Sequence, residues 1–175
     1  MRKTWGKTLM FTLASGALAI SGCNNHTEKP IKIETGEVGY TSSAPIESHG
    51  FNECSALILD TGEGAIMAHA FYITPRGAKN PYRSSGYIVD IGNAVDKSVE
   101  ELSKYGINPQ DCEAIIVAGT EDAMETLKGD LSRFSIPIRT ARVGKGDSRS
   151  VSYNSRTNTL NEVDSGFSEG KFRSR

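Results

Sequence analysis

The amino-acid sequence predicts an α+β fold, a β-sheet with two helices packed on it. Three observations support this prediction. Short apolar runs bounded by turn residues precede a first helical pattern, a continuous apolar run separates it from a second, and further strand-like segments follow. The chain has 175 residues, a length that suits one domain with a usable hydrophobic core.

The first strands are predicted from apolar runs in the N-terminal half. Residues 31–40 carry a weak strand pattern, and residues 56–59 and 65–72 carry clearer ones. The segment Thr61-Gly62-Glu63-Gly64 between the two clearer runs has the composition of a hairpin turn, so these strands are expected to pair. Residues 75–86 contain prolines and three basic side chains and are predicted to form an exposed loop.

Two helices are predicted from apolar residues that recur at the helical period. The first covers residues 89–105, and Gly106 follows it as a residue that enters the left-handed region at low cost. The second runs from the capping residue Thr120 to about residue 134, with acidic side chains at the positive end of its dipole. The predicted buried faces are Ile91, Ala94, Val95, Val99 and Leu102 in the first helix, and Ala123, Met124, Leu127 and Leu131 in the second.

The remaining strands surround the second helix. Residues 114–118 form a short, continuous apolar run, which is typical of a central strand. Residues 136–143 and 148–153 are predicted to be strands, and residues 159–163 a returning strand after a turn at residues 154–158.

The N-terminus has the pattern of a secretory signal. A basic start is followed by an apolar run over residues 8–20, which is too short for a membrane-spanning helix. The following Ser21-Gly22-Cys23 completes a segment that resembles the bacterial lipobox, in which the Cys becomes the lipidated first residue. Cys23 is therefore the expected lipidation site, and Asn24 after it favours the outer membrane facing the periplasm. The alternative is an ordinary signal peptide that contains a Cys.

These features predict four regions: a lipoprotein signal peptide over residues 1–22, a polar tether over 23–33, a domain over 34–164 and a flexible tail over 165–175. Three of the 20 basic residues precede Cys23, which leaves 17 against 21 acidic residues, a net charge of about −4. The chain therefore has no surplus of basic residues of the kind that would indicate a nucleic-acid partner. Three scattered histidines without clustered carboxylates give no pattern of a metal site.

Cys54 and His69 lie at the ends of the two runs that the predicted hairpin joins. A thiol and an imidazole on paired strands can meet, and the imidazole can take the thiol proton and later return it to a leaving group. The ordinary interpretation of this spacing is a small core cysteine and a strand histidine satisfied by its neighbours. A second alternative is a disulfide between Cys54 and Cys112 in an oxidising compartment.

Four segments in order along residues 46–163 add to this pair. They are Ser48-His49-Gly50-Phe51-Asn52-Glu53-Cys54, Met67-Ala68-His69, Ala118-Gly119-Thr120 and a Gly-rich segment over residues 142–151. The first is similar to the nucleophile segment of the CheD family of chemoreceptor glutamine deamidases, which runs Thr, any, Gly, any, Gly, Ser, Cys. The others resemble that family's Met-Ala-His, its Gly-Gly-Ala turn into a helix, and its late Val-Gly-Gly…Gly-Arg-Lys-Val strand pair.

The resemblance implies a CheD-like layered β-sheet sandwich with two packed helices, a fold shared with deamidase toxins of the cytotoxic necrotizing factor type. It implies that Cys54 is the nucleophile, that His69 is the general base and acid, and that Ser48 orients His69. The implied reaction is hydrolysis of protein glutamine to glutamate through a thioester, without a cofactor.

Because Cys23 places the domain outside the cytoplasm, the expected substrate is a periplasmic, surface or foreign protein rather than a chemoreceptor. Asn52 and Glu53 differ from the family pattern, and they favour an alternative, a non-catalytic CheD-like binding lipoprotein. A further alternative is a thiol amidohydrolase or transglutaminase that acts on other amides, because an amine can also capture a thioester.

Overall fold

Two β-sheets face each other, and two helices cover the outer face of the larger sheet. The computed structural model describes residues 28–71, 89–144 and 149–164. The helices are α1 (Ala94–Lys104) and α2 (Glu121–Arg133), and a 3-10 turn covers Pro109–Asp111. The strands are β1 (Ile31–Ile33), β2 (Val38–Thr41), β3 (Ile46–Phe51), β4 (Ser55–Asp60), β5 (Ala65–Ala70), β6 (Glu113–Ala118), β7 (Ile138–Val143), β8 (Arg149–Asn154) and β9 (Thr159–Asp164).

The strand orders define the two sheets. The smaller sheet has the order β1-β3-β8-β9, and the larger has the order β2-β5-β4-β6-β7. Both are mixed, because β1 pairs parallel with β3, β6 pairs parallel with β7, and the other neighbours are antiparallel. The α+β prediction is therefore confirmed, and the sheets and helices form three layers.

The hydrophobic core has two parts, one on each face of the larger sheet. Alternate side chains of β4 and β5 pack against α1 and α2 on one face and against the smaller sheet on the other. All twelve residues of these two strands are buried, which explains their nearly uninterrupted apolar sequence. We call the core between the two sheets the inter-sheet core; its buried members are Ile33, Ile46, Phe51, Ala56, Ile58, Ala65, Met67, Ile115, Val117, Val151 and Tyr153.

The predicted hairpin and second helix are confirmed. In the hairpin, Asp60 pairs with Ala65, and Gly62 adopts a left-handed φ of 79° in the turn. In α2, the Thr120 hydroxyl accepts a hydrogen bond of 3.1 Å from the Ala123 backbone N–H, so it caps the helix as expected.

The first helix was predicted to begin too early, since it starts at Ala94 instead of residue 89. Residues 89 and 90 are held against the chain just after β5, where Phe71 and Asp90 form a parallel bridge and the Val89 N–H donates to the Gly36 carbonyl. The Asn93 side chain accepts from the Asp90 N–H, which closes a turn directly before the helix. Sheet pairing at residues 89–90 and the turn at residues 91–93 thus replace the helix predicted there.

The strand predictions missed two features of the N-terminal part. The pattern over residues 31–40 is two strands that belong to different sheets, because a turn with Gly36 at a φ of 81° reverses the chain between β1 and β2. β1 lies within the predicted tether, and Ile33 at its end is only 5% exposed, so the folded domain includes residues assigned to the tether. β3 was not predicted, because its polar residues break the apolar pattern.

Several sequence predictions fall on residues outside the described ranges: the signal peptide, the Cys23 lipidation site, the loop over residues 75–86 and the tail over 165–175. Across residues 28–71, 89–144 and 149–164, no helix is long and apolar enough to cross a membrane.

Candidate active site

His69 is fully buried in β5, with its backbone held from both sides. Its N–H donates to the Glu37 carbonyl at 3.0 Å, and its carbonyl accepts from the Gly36 N–H at 2.8 Å. On the other side it pairs with Ala56 of β4, whose side chain lies in the inter-sheet core. Because directly paired residues present their side chains to the same face of a sheet, the His69 ring also lies between the two sheets.

Ser48 reaches the His69 ring from the opposite sheet. Its Oγ lies 2.7 Å from His69 Nδ1, and the same hydroxyl donates a hydrogen bond to the carbonyl of Ile33 in β1. A serine hydroxyl has one proton, so Ser48 accepts from Nδ1–H. The neutral His69 is therefore the Nδ1–H tautomer, and its Nε2 carries the lone pair.

His69 is neutral at neutral pH. Burial lowers its pKa from 6.5 to about 4, because the imidazolium would lose its hydration between the sheets. Within the described ranges, Nε2 is buried and has no hydrogen-bond partner. A buried acceptor without a donor is costly in a folded protein, so this nitrogen is the position where a proton donor or a ligand is expected.

Phe51 supports the ring and was missed by the sequence predictions. It is fully buried at the end of β3 and stacks on His69 with ring centroids 3.9 Å apart and an interplanar angle of 20°. Together, Ser48 fixes one ring edge and Phe51 fixes one ring face. The sequence shows only a phenylalanine between Ser48 and Cys54. That residue points to a partner for His69 only when it is known that β3 and β5 face each other in different sheets.

Cys54 lies directly before β4 and packs, half-buried, against the inter-sheet core. It stands two residues before Ala56, the strand partner of His69. Residues in this diagonal relationship share a sheet face at about 7–8 Å between Cα atoms, within reach of their side chains. The thiol, the imidazole and the Ser48 hydroxyl therefore all lie on the inter-sheet side, but within the part of the chain that the structure describes, Nε2 of His69 makes no hydrogen bond to Cys54 Sγ.

The loop before Cys54 tolerates the two departures from the CheD-like pattern. Gly50 adopts a φ of 80° at a bulge in the pairing of β3 with β8, so this glycine meets a real conformational need. Asn52 does not adopt a positive φ, which means that its backbone needs no glycine. Glu53 is exposed, where water screens its charge.

Gly119 allows the start of α2 to approach this loop. A Cβ at this position would overlap the Glu53 carbonyl and would lie 2.8 Å from the Cys54 carbonyl oxygen. The Gly119 N–H donates to Ser55 Oγ at 3.0 Å, which ties the end of β6 to the residue after Cys54. The Ala118-Gly119-Thr120 segment therefore packs against the candidate nucleophile.

The structure contains no disulfide between Cys54 and Cys112. Cys112 is 1% exposed in the core beneath the helices, on the other face of the larger sheet. It precedes Glu113, which pairs with Asp60 at the far end of β4 from Cys54. The six residues of that strand span about 20 Å, whereas bonded cysteines have Cα atoms within about 7 Å. The alternative of a disulfide is wrong for this fold.

The other histidine of the described ranges is separate from this site. His49 is exposed on β3, where its ring contacts Ser150 at 2.8 Å and Glu47 at 3.4 Å. Among the described residues, no group of three His, Cys, Asp or Glu side chains is placed to hold a metal ion.

A cleft of about 820 Å³ opens between the edges of the two sheets. None of Ser48, Cys54 and His69 lines it, so the cleft does not mark the candidate catalytic group. Its lining residues are Arg142, Val143, Ser152, Leu160, Asn161, Glu162 and Val163.

Comparison with known proteins assigns no family to the chain. No protein-family model matches the sequence, and no curated protein matches it.

Proposed function

We propose that this protein is an exported, lipid-anchored protein-glutamine deamidase in which Cys54 is the nucleophile and His69 the general base and acid. The observation that carries the proposal is the Ser48–His69 pair. Ser48 holds the ring as the Nδ1–H tautomer and leaves the Nε2 lone pair buried without a described donor, on the sheet face that carries Cys54. A thiol nucleophile needs a base with an available lone pair, and this nitrogen supplies one; Cys54 must still approach it to transfer the proton.

The proposed reaction begins when Nε2 of His69 takes the proton of the Cys54 thiol. The sulfur attacks the carbonyl carbon of a glutamine side chain, and ammonia leaves with the proton returned by His69. His69 then takes a proton from water, and the resulting hydroxide attacks the thioester. The C–S bond breaks, the thiol recovers its proton and the product is a glutamate side chain.

Burial of His69 constrains how the proton moves. An imidazolium between the sheets is unfavourable by itself, as its lowered pKa shows, so it is best formed beside the negative sulfur of Cys54. Proton transfer is therefore coupled to the attack on the amide carbon. Ser48 keeps one role throughout, because its own proton stays hydrogen-bonded to the Ile33 carbonyl while its oxygen accepts from Nδ1–H.

Ammonia release from a glutamine-rich protein tests this proposal. The wild type should release ammonia, whereas Cys54→Ser and His69→Ala should not. Cys112→Ser and His49→Ala are matched controls, because they change the same residue types away from the site. Equal release by wild type, Cys54→Ser and His69→Ala would overturn the enzyme proposal.

The lipid anchor requires its own experiment. In a bacterial host fed labelled palmitate, the wild type should carry the label and fractionate with membranes. Cys23→Ser should lose both properties. An unlabelled wild type would contradict the anchor and leave the deamidase proposal standing.

A second candidate is a non-catalytic binding lipoprotein of the same fold. It is favoured by the complete burial of His69 and its pKa of about 4, which make this imidazole a weaker base than a free one. It predicts no ammonia release from any glutamine protein and no thioester on Cys54.

Adding a primary amine distinguishes the transglutaminase alternative, which would join the amine to protein glutamine.

A further inference from the structure

Arg149 is a buried cation beside the candidate nucleophile. It begins β8, pairs with Phe51 across the smaller sheet and is 1% exposed. Its guanidinium donates four hydrogen bonds to backbone carbonyls. These run from Nε to Phe51 (3.2 Å), from Nη1 to Ala118 (3.2 Å), and from Nη2 to Asn52 (3.0 Å) and Cys54 (3.4 Å).

These four carbonyls belong to two parts of the candidate site. Three are in the segment that runs from the end of β3 to Cys54, and the fourth ends β6, directly before Gly119. A guanidinium has five N–H donors in a fixed planar fork, so its bonds define the positions of several acceptors at once. Arg149 therefore holds the loop before Cys54 against the entry to α2.

The fold makes room for this side chain and compensates its charge. A Cβ on Gly144 would overlap Nη1 of Arg149, so a glycine is required where β7 ends. The Glu162 carboxylate in β9 lies 3.7 Å from Nη1 and also pairs with the exposed Arg142 at 2.8 Å. A buried charge is costly unless it is hydrogen-bonded and paired, and Arg149 is both.

We infer that Arg149 is a positioning residue that fixes the loop at residues 52–54 and thereby sets the reactivity of the Cys54 thiol. The guanidinium bonds the carbonyl of Cys54 itself, which holds the residue in place and keeps a positive charge beside it. A nearby cation favours the thiolate, the form that attacks. The positioning role of Arg149 does not depend on the proposed function. Only the use of the Cys54 thiol in glutamine deamidation rests on it.

Alkylation of the full-length protein by iodoacetamide tests the inference, with peptide mass spectrometry to separate Cys54 from Cys23 and Cys112. Arg149→Met should slow alkylation of Cys54 about tenfold at pH 7 and move the midpoint of its pH profile up by about one unit, the equivalent shift. Arg149→Lys should lie between, since an ammonium keeps the charge but lacks the planar fork. Every variant retains His69, Glu53 and Glu162.

Two further variants separate positioning from folding. Gly144→Ala keeps the charge of Arg149 but displaces the guanidinium, so it should also slow Cys54 alkylation. Gly129→Ala is the matched control, because a Cβ there meets no atom within 4 Å, and Arg142→Met is the control for loss of a cation paired with Glu162. Both controls should leave the alkylation profile unchanged. If Arg149→Met does not fold, Arg149→Lys and Gly144→Ala decide the question.

The outcomes distinguish this inference from the proposed function. If folded Arg149→Met is alkylated with the wild-type profile, the inference is overturned, whatever the enzyme assay shows. If Arg149→Met does not fold, wild-type profiles in Arg149→Lys and Gly144→Ala overturn it in the same way. An altered profile together with no ammonia release from wild type would support the positioning role of Arg149 and reject the deamidase proposal.

Discussion

Ser48 and His69 lie in different sheets and meet between them, with Ser48 Oγ 2.7 Å from His69 Nδ1. Ser48 is fixed by β1 and β8 on either side of β3, and His69 is fixed by β4 and by residues that precede β2. The orientation of the imidazole therefore depends on how the two sheets pack. A change in that packing would alter the candidate site without changing any residue of it.

Replacing Ser48 by Ala should lower both activity and stability. Both the His69 Nδ1–H and the Ile33 carbonyl would lose their bonds to the hydroxyl, at a cost of about 1–3 kcal/mol in the free energy of unfolding. Urea unfolding and ammonia release would measure the two effects. Ser150→Ala is the matched control, since it removes a serine–histidine contact on the surface. Identical behaviour of the two variants would contradict an orienting role for Ser48.

Stability should fall between about pH 6.5 and pH 4 because of His69. Its pKa is ordinarily 6.5, as in an unfolded chain, and about 4 in the folded protein, so the unfolded chain binds more protons in this window. The contribution of the neutral imidazole is complete above pH 6.5 and is lost as the pH falls, by on the order of 3 kcal/mol.

Urea unfolding of the wild type and of His69→Gln across pH 7.5 to 4 would isolate this effect, because other groups titrate in both proteins. The wild type should lose more stability on acidification than the variant. His49→Gln is the matched control, since it makes the same replacement at an exposed ring. Parallel pH dependence of wild type and His69→Gln would show that burial does not hold His69 neutral.

The two described cysteines should differ strongly in reactivity. Cys112 is 1% exposed, and burial followed by the nearby charges of Asp111 and Asp60 raises its pKa to about 11. Cys54 is half-buried at the site. In the native protein at pH 7.5, iodoacetamide should modify Cys54 at least about tenfold faster than Cys112. In urea the two rates should converge, and non-reducing mass spectrometry should find no peptide that joins the two residues.

Tyr153→Phe should destabilise the sandwich without altering Cys54. The Tyr153 hydroxyl lies 2.6 Å from Asp60 of the larger sheet and accepts from Arg139 at 2.7 Å, which ties the sheets together at the far end of β4. Removing it should cost about 1–3 kcal/mol in urea unfolding. Tyr105→Phe is the matched control, because Tyr105 is 52% exposed. It should lower the free energy of unfolding by less than about 0.5 kcal/mol. A changed rate of Cys54 alkylation in Tyr153→Phe would mean that the two ends of the sandwich are coupled.

Gly119→Ala should impair the candidate site. The added Cβ would overlap the Glu53 carbonyl, so the loop before Cys54 or the start of α2 must move. Ammonia release and Cys54 alkylation should both fall. Gly129→Ala in the middle of α2 should retain both and gain about 0.5–1 kcal/mol in the free energy of unfolding, since alanine is the better helix former. Normal activity in Gly119→Ala would argue against close packing of α2 on the nucleophile loop.

The local sequence was enough to predict most elements of the larger sheet and both helices. The hairpin turn, the apolar runs of β4, β5 and β6, and the Thr120 cap depend on neighbouring residues, so the sequence pattern carries them directly. The prediction failed where pairing partners are distant in sequence. Residues 89–93 have a helical pattern, but residues 89–90 pair with the chain just after β5 and residues 91–93 form a turn. β3 carries polar residues that break the apolar pattern of a strand.

The candidate catalytic residues were named from sequence, and their number and types did not require a structure. What only the tertiary structure decided is the relation between them. Sheet packing places Ser48 beside Nδ1, buries His69 so that it stays neutral, stacks Phe51 on its ring and inserts Arg149 beneath the loop of Cys54. These contacts join residues up to 98 positions apart, and no local pattern encodes such distances. Each strand sets the direction of its own side chains, but Ser48 and His69 come into contact only because the two sheets pack face to face.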